Sequence, residues 1–213
     1  MTHKIYPHGL PKKLAENLWQ VEGSLSIPLP RNMTIWRSPE GKLVLYSVVA
    51  MRDEGMRALE ALGEPALMVI PHRRHQMDFT FYRERYPDIA TGASKLIEYG
   101  IAAETIPGTS YEDLAMQLPI EGGHALCITE LLGQMPQMKG VLGAALSLVG
   151  PPGGGFGVAR AVKLREVRQA ERTKDWMLER ADDPNLKMIV TGHGHPVLEN
   201  AQTLLREAAL KGL

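Results

Sequence analysis

The sequence predicts a layered α/β protein, and three observations carry that reading. Residues 17 to 51 alternate short apolar runs with turn chemistry, a stretch with helical spacing follows them, and strand followed by helix returns in the second half of the chain. Two of the strand-like runs, ALMVI and LKMIVT, end in histidine loops, PHRRHQMD and GHGHP. At 213 residues the chain can bury a substantial core, so a single domain over residues 1–213 is expected.

The elements follow in order. NLWQVEGSLSI supplies the first strand region, and MTIWRS and LVLYSVVAM flank Pro-Glu-Gly-Lys as a hairpin. RDEGMRALEALGE sets Met56, Leu59 and Leu62 at helical spacing, with Gly63 as a stop. ALMVIP is a continuous apolar run suited to a buried strand, and PHRRHQMD leaves its C-terminal end, where sheets covered by helices build sites. FTFYRERY continues a helix begun near Gln76 and closed by Pro87. After LIEYGI and TIPGTSYEDLAMQLPI, the turn EGGH leads into HALCITELL as a second hairpin. Residues 133–157 are rich in Gly, Pro and Met and predict no regular element. Residues 159–181 set Val162, Val167, Ala170, Trp176 and Met177 among charges, which predicts one long amphipathic helix. The C-terminal stretch from DDPN reads turn, strand, histidine loop and helix.

Composition excludes several classes. Lys plus Arg and Asp plus Glu are both 24, so the net charge is zero and nothing favours nucleic acid. Cys127 is the only cysteine and sits in the apolar ALCIT, which excludes an intramolecular disulfide and a thiolate metal cluster and predicts a buried thiol. The first residues, MTHKIYPHGLPKK, lack the apolar core of a signal peptide, and no run approaches a membrane span; a cytoplasmic protein that does not engage membranes is expected.

NLWQVEG, TIWRSPEGKLVLYS, the histidine loop after ALMVI, TELL and IVTGHGHP, in that order, resemble the metallo-β-lactamase fold family from about Asn17 to Leu205. The likeness is to its small hydrolase-like branch in which the metal motif is altered. The resemblance implies a four-layer αββα sandwich of two mixed β-sheets flanked by helices, with the site at one edge between the sheets. It also implies one or two metal ions, most often zinc, held by a His-x-His-x-Asp-His loop, a further histidine, a bridging aspartate and a last histidine. Laid on by position, His72 falls on the first histidine, while Arg74, Gln76 and Met77 fall on the next three ligands. A shifted reading brings in His75, with Asp78 as carboxylate partner. Glu130 stands in the place of the bridging aspartate, His193 matches the last histidine, and His124 is the candidate for the middle one. The implied ligand set for zinc or another divalent metal is therefore His72, His75, Asp78, Glu130 and His193.

Each candidate has a plainer alternative. His72, His75 and Asp78 read either as metal ligands at a strand-to-helix junction or as part of a basic, solvated loop, and Arg73 and Arg74 add cations beside any metal unless they face outward or bind an anionic ligand. Glu130, in the apolar LCITELLG, is expected to be paired or displaced to the surface. His193 faces a pocket or a polar turn, His195 points to solvent, and His124 is a turn residue. GPPGGGFGVAR has the glycine content of a phosphate loop without the Gly-Lys-Ser/Thr ending, which leaves nucleotide binding as a minor reading. The neighbouring VLGAALSLVG is apolar enough to cover a pocket or a partner subunit in a homodimer. Two functions stay open: metal-dependent hydrolysis of an ester, thioester, amide or phosphoester, and a degenerate, non-catalytic member of the family that binds a small anionic ligand or a protein partner.

Overall fold

Among its described residues, the first half of the chain resolves into six strands, two α-helices and two 3-10 segments. In the computed structural model residues 3–25, 29–110, 113–135, 150–151 and 155–213 are described, and the chain divides into two units, Met1–Ala102 and Ala103–Leu213. The first unit holds β1 (Lys12–Ala15), β2 (Leu18–Ser24), β3 (Pro30–Arg37), β4 (Lys42–Tyr46), β5 (Glu64–Val69) and β6 (Ala90–Thr91), hydrogen-bonded in that order. β1 to β4 are antiparallel and β4, β5 and β6 are parallel, so the sheet is mixed. The Pro-Glu-Gly-Lys turn forms as expected, with Gly41 at φ +80, a backbone shape that glycine adopts at no steric cost. α1 (Asp53–Glu60) makes the crossover from β4 to β5; Asp53 and Glu54 in its first turn complement the helix dipole, and Met56 and Leu59 are buried. Leu43, Val44, Leu45 and Tyr46 of β4 are all buried, as a central strand with parallel and antiparallel neighbours requires, and they join Met33, Ile35, Met56, Leu59 and Met68 in the core.

Over the histidine loop the expected helix from Gln76 is not what forms. A 3-10 turn covers Arg73–His75, and α2 begins only at Phe79 and ends at Arg85. The cause is local: the His75 amide bonds back to His72 O at 2.8 Å and the Phe79 amide to Gln76 O at 3.1 Å, so the chain makes tight turns that bury His72, His75 and Asp78 before it can wind a helix.

The second unit carries β7 (Ala102–Thr105), β8 (Leu114–Ile120), β9 (Gly123–Ile128) and β12 (Leu186–Thr191) in the sheet order β12-β9-β8-β7. β8 and β9 form the second expected hairpin, closed by Glu121 and Gly122. β12 lies parallel to β9, which makes this sheet mixed as well. β10 (Leu132–Met135) and β11 (Gly155–Val158) form a separate antiparallel pair, so both ends of the stretch expected to lack regular structure are strands. Residues 136–149 and 152–154, which hold nearly all of VLGAALSLVG and part of the glycine run, lie outside the described residues.

The long helix expected over 159–181 is two helices, α3 (Arg160–Glu166) and α4 (Ala170–Asp182). A distant segment breaks it. The carbonyl of Gly108 takes the amides of Arg168 and Gln169 at 2.8 and 3.0 Å, and Val167 bridges Thr109 as a strand residue would. Gly108 can come this close because a Cβ there would stand 2.5 Å from Gln169 O. α5 (Ala201–Gly212) packs beside α4, and Trp176, Met177, Leu205 and Ala209 meet Leu126, Ile128 and Ile189 in the core of this unit. Cys127 is buried, as its apolar setting predicts. Among the described residues no helix is long and apolar enough to cross a membrane.

Candidate metal centre

In the first unit, parallel pairing of β4 and β5 puts their C-terminal ends side by side, and the histidine loop leaves β5 at that end. The i, i+3, i+6 spacing of His72, His75 and Asp78 turns all three inward, to 3, 5 and 6 % exposure, while Arg73, Arg74, Gln76 and Met77 face out. The loop is thus neither fully solvated nor uniformly basic. Each inward side chain has a definite partner. The His72 ring caps the 3-10 turn, its Nδ1 accepting from the Arg74 amide at 3.2 Å. Nδ1 of His75 lies 2.6 Å from Ser47 Oγ. Asp78 Oδ2 accepts from the Ala50 amide at 2.7 Å and from the Arg31 guanidinium, a pair buried on both sides. Ser47 reaches His75 from a left-handed backbone, φ 60, just beyond β4, and its own amide is held by Val69 O at 3.1 Å. A serine at positive φ is uncommon and persists where surrounding contacts impose it.

In the second unit the parallel pair β9 and β12 does the same for two other candidates. Ile128 and Thr191 end the two strands as register partners, and the chain turns from them into Thr129–Leu131 and Gly192–His195. Close approach of these turns depends on Gly192: its amide bonds to Ile128 O at 2.8 Å, and a Cβ there would lie 2.8 Å from Thr129 Cα. Glu130 and His193 are thereby brought together, Oε1 to Nε2 at 3.7 Å, with only 8 and 17 % of their side chains exposed. The Gly192–His195 turn is fixed by Thr191 Oγ, which donates to His193 O at 2.9 Å, and by the Gln134 amide on the same carbonyl at 3.3 Å.

Beneath Glu130 lies a residue that no sequence signal singles out. Asp113 is buried, accepts from Thr129 Oγ at 2.5 Å, and takes the amides of Glu130 and Leu131 at 3.1 Å each. Burial pushes its carboxyl up to about 6; the three hydrogen bonds hold it down and the neighbouring Glu130 charge adds to the rise. Arg31, Ser47 and Asp113 are the supports that sequence reasoning missed. Their partners are 47, 28 and 16–18 residues away, so no local pattern announces them.

The remaining histidines go elsewhere. His124, expected in the turn, is instead the second residue of β9, paired with Pro119, and lies 3.8 Å from Asp183, with its pKa lowered chiefly by burial, against the pull of Asp183 and with help from Arg180 and Lys187. His195 is exposed, as expected. Arg73 and Arg74 are both exposed beside the buried side of their loop.

No protein-family model matches the chain, and no curated protein matches it. Solved structures do. The chain is similar to the DIM-1 metallo-β-lactamase, in a crystal exposed to ceftazidime, at 12 % identity and a TM-score of 0.62 over 99 % of this chain and 100 % of that one. A metallo-β-lactamase from Hirschia baltica matches at 13 % identity and 0.59 over 97 % of both chains. An NDM/FIM-1-like metallo-β-lactamase from Erythrobacter litoralis in its mono-zinc form matches at 15 % identity and 0.58, over 94 % of this chain and 96 % of that one. With two mixed sheets, flanking helices and likeness running over nearly the whole length, the chain has the metallo-β-lactamase fold.

Proposed function

We propose that this protein is a metal-dependent hydrolase in which Glu130 and His193 hold a divalent cation. The observation that carries the reading is the Glu130–His193 pair, a nearly buried carboxylate facing an imidazole at the end of two parallel strands. The donor types fit: an imidazole nitrogen and a carboxylate oxygen are ordinary zinc ligands. The structurally similar protein from Erythrobacter litoralis in mono-zinc form supports zinc as the ion. When bound, such an ion supplies Lewis acidity toward a carbonyl or phosphoryl oxygen and lowers the pKa of a water.

The chain's own residues would do the rest. Ser47 orients the His75 ring by engaging Nδ1, and Asp113 fixes the backbone that presents Glu130. Arg73 and Arg74 would orient an anionic group of an ester, thioester, amide or phosphoester. A small-molecule substrate and a cytoplasmic setting, in which the one thiol stays reduced, belong to the same proposal. A second reading, binding of a small anionic ligand without turnover, draws support from the diversion of Asp78 to Arg31.

One experiment separates them. Protein purified without chelator and then soaked in zinc is assayed for metal by mass spectrometry and for hydrolysis of the four bond classes. The hydrolase reading expects stoichiometric metal, turnover abolished by chelator, and loss of both in His193→Ala. Absence of stoichiometric metal refutes it; metal or anion binding with no turnover favours the second reading.

A further inference from the structure

The geometry points to a second activity housed in the first unit alone: Ser47 is an acyl-accepting nucleophile with His75 as its general base, acting on a carboxylic ester or thioester of a short acyl group. Both side chains belong to that unit and no step uses a cation, so the assignment is independent of Glu130 and His193.

Hydrogen-bond direction comes first. Ser47 Oγ lies 2.6 Å from His75 Nδ1 and Ser47 is 3 % exposed. Among the described residues that nitrogen is the only partner of the hydroxyl, and a buried O–H left without an acceptor is costly. Oγ therefore donates and Nδ1 accepts, at a distance suited to proton transfer, which is what a serine and its base require. Nε2 of His75, and any partner it has, plays no part in this assignment.

The backbone adds a second feature. Ser47 stands at φ 60 directly after β4, on the stretch that leads into α1. Hydrolases with a serine nucleophile present Oγ on such a strained strand-to-helix turn, at the C-terminal edge of parallel strands. The flanking glycines of that motif are absent, with Leu45 and Val49 in their places, so contacts impose the shape. Val69 O holds the Ser47 amide at 3.1 Å, Val49 O takes the Tyr82 hydroxyl at 2.9 Å, and Asp78 Oδ2 takes the Ala50 amide at 2.7 Å.

Within this clamped stretch the amides of Val48 and Val49 have no acceptor among the described residues, although the two residues are 1 and 2 % exposed. Buried amides without an acceptor are rare. The amide after a serine nucleophile is the usual donor to the oxyanion, and Val48 occupies that position. Val48, Val49, Ala50 and Met51 are all buried and apolar, which limits the acyl group to a short aliphatic one.

In the reaction Oγ bonds to the carbonyl carbon as its proton passes to Nδ1, and the oxyanion meets the Val48 amide. Collapse breaks the bond to the leaving oxygen or sulfur, which departs as alcohol or thiol with the proton from Nδ1. Water then adds to the acyl carbon, giving its proton to Nδ1. The Oγ–carbon bond breaks, the proton returns to Oγ, and a carboxylic acid leaves.

The test uses the full-length chain in excess chelator, which silences cation-dependent turnover. The chain is treated with p-nitrophenyl acetate and, separately, with diisopropyl fluorophosphate, and adducts are read by intact mass and peptide mapping. One adduct per chain is expected, on Ser47. Ser47→Gly, whose backbone suits φ 60, should fold and take none. His75→Gln should slow labelling by roughly 100-fold or more. No adduct on Ser47, an adduct elsewhere only, or labelling of His75→Gln at the wild-type rate overturns the inference. If either variant fails to fold, the mapped wild-type adduct decides. Cation-dependent turnover with no Ser47 adduct leaves the metal-dependent hydrolase standing alone, whereas a Ser47 adduct in protein that binds no cation leaves this activity alone.

Discussion

Asp113 offers the sharpest test of how the Glu130 turn is held. In the folded chain its carboxyl is raised from 3.8 to about 6, mainly by burial. That difference is worth about 3 kcal/mol. The sign follows from proton affinity: the folded chain holds this proton more tightly than the unfolded one, so the stabilisation is complete below pH 3.8 and is lost as pH rises through about 6. Asp113→Asn removes the titration yet can keep every bond. Its amide oxygen can take the Glu130 and Leu131 amides, while its NH2 donates to Thr129 Oγ once that hydroxyl rotates to accept. Asp113→Ala cannot, and leaves three buried donors without acceptors at about 1 to 3 kcal/mol each, partly offset above pH 6 by relief of the buried charge. Urea unfolding of metal-free protein from pH 4 to 8, followed by circular dichroism, measures both effects. Asp113→Asn should gain on the wild type steadily as pH rises, by up to about 3 kcal/mol at pH 8, and Asp113→Ala should be less stable than Asp113→Asn at every pH. If the wild type and Asp113→Asn keep a constant difference across that range, or if Asn is as damaging as Ala, the account of this carboxylate is wrong.

Two other perturbations probe the supports. Arg31→Met strands the buried Asp78 carboxylate and should cost about 3 to 5 kcal/mol in urea unfolding. Adding Asp78→Leu should recover part of that loss but not all, because the Ala50 amide still lacks its acceptor; full additivity would refute the coupling. Gly192→Ala places a Cβ against the Thr129 backbone and should lower cation affinity by about 10-fold or more by parting Glu130 from His193. Gly122→Ala, at φ +77 with open space around its Cβ, should cost only about 1 to 2 kcal/mol of stability and leave cation affinity unchanged. Equal affinities in the two glycine variants would show that the close approach of the two turns does not matter.

The strands were legible because burial writes its period into local sequence. LVLY is apolar at every position and is buried at every position, and the hairpins declare themselves through Gly41 and Gly122. The helix boundaries were not, because distant backbone set them. Nothing within residues 159–181 foretells that Gly108 will capture the amides at 168 and 169. The candidate site divides in the same way. The placement of Glu130 and His193 at the ends of neighbouring strands followed from the resemblance and from two apolar runs, and the inward set 72, 75, 78 follows from a three-residue period. What each of those inward residues does depends on Arg31, Ser47 and the amides of Ala50 and Arg74, and only the Arg74 amide is close in sequence.

That dependence explains why residue type misleads at such a loop. A chain leaving a buried parallel strand must find acceptors for amides that no longer have a strand partner, and histidine and aspartate side chains provide them. Those are also the side chains that bind metals, so a loop can retain His and Asp for anchoring after the need for ligands has gone. The distinction lies in the partner of the acceptor atom. At His72 an amide has taken the lone pair, and at Asp78 an amide and a guanidinium share the same oxygen. At His75 the Nδ1 partner is a hydroxyl whose role can reverse, so that contact does not by itself fix which ring nitrogen carries the proton.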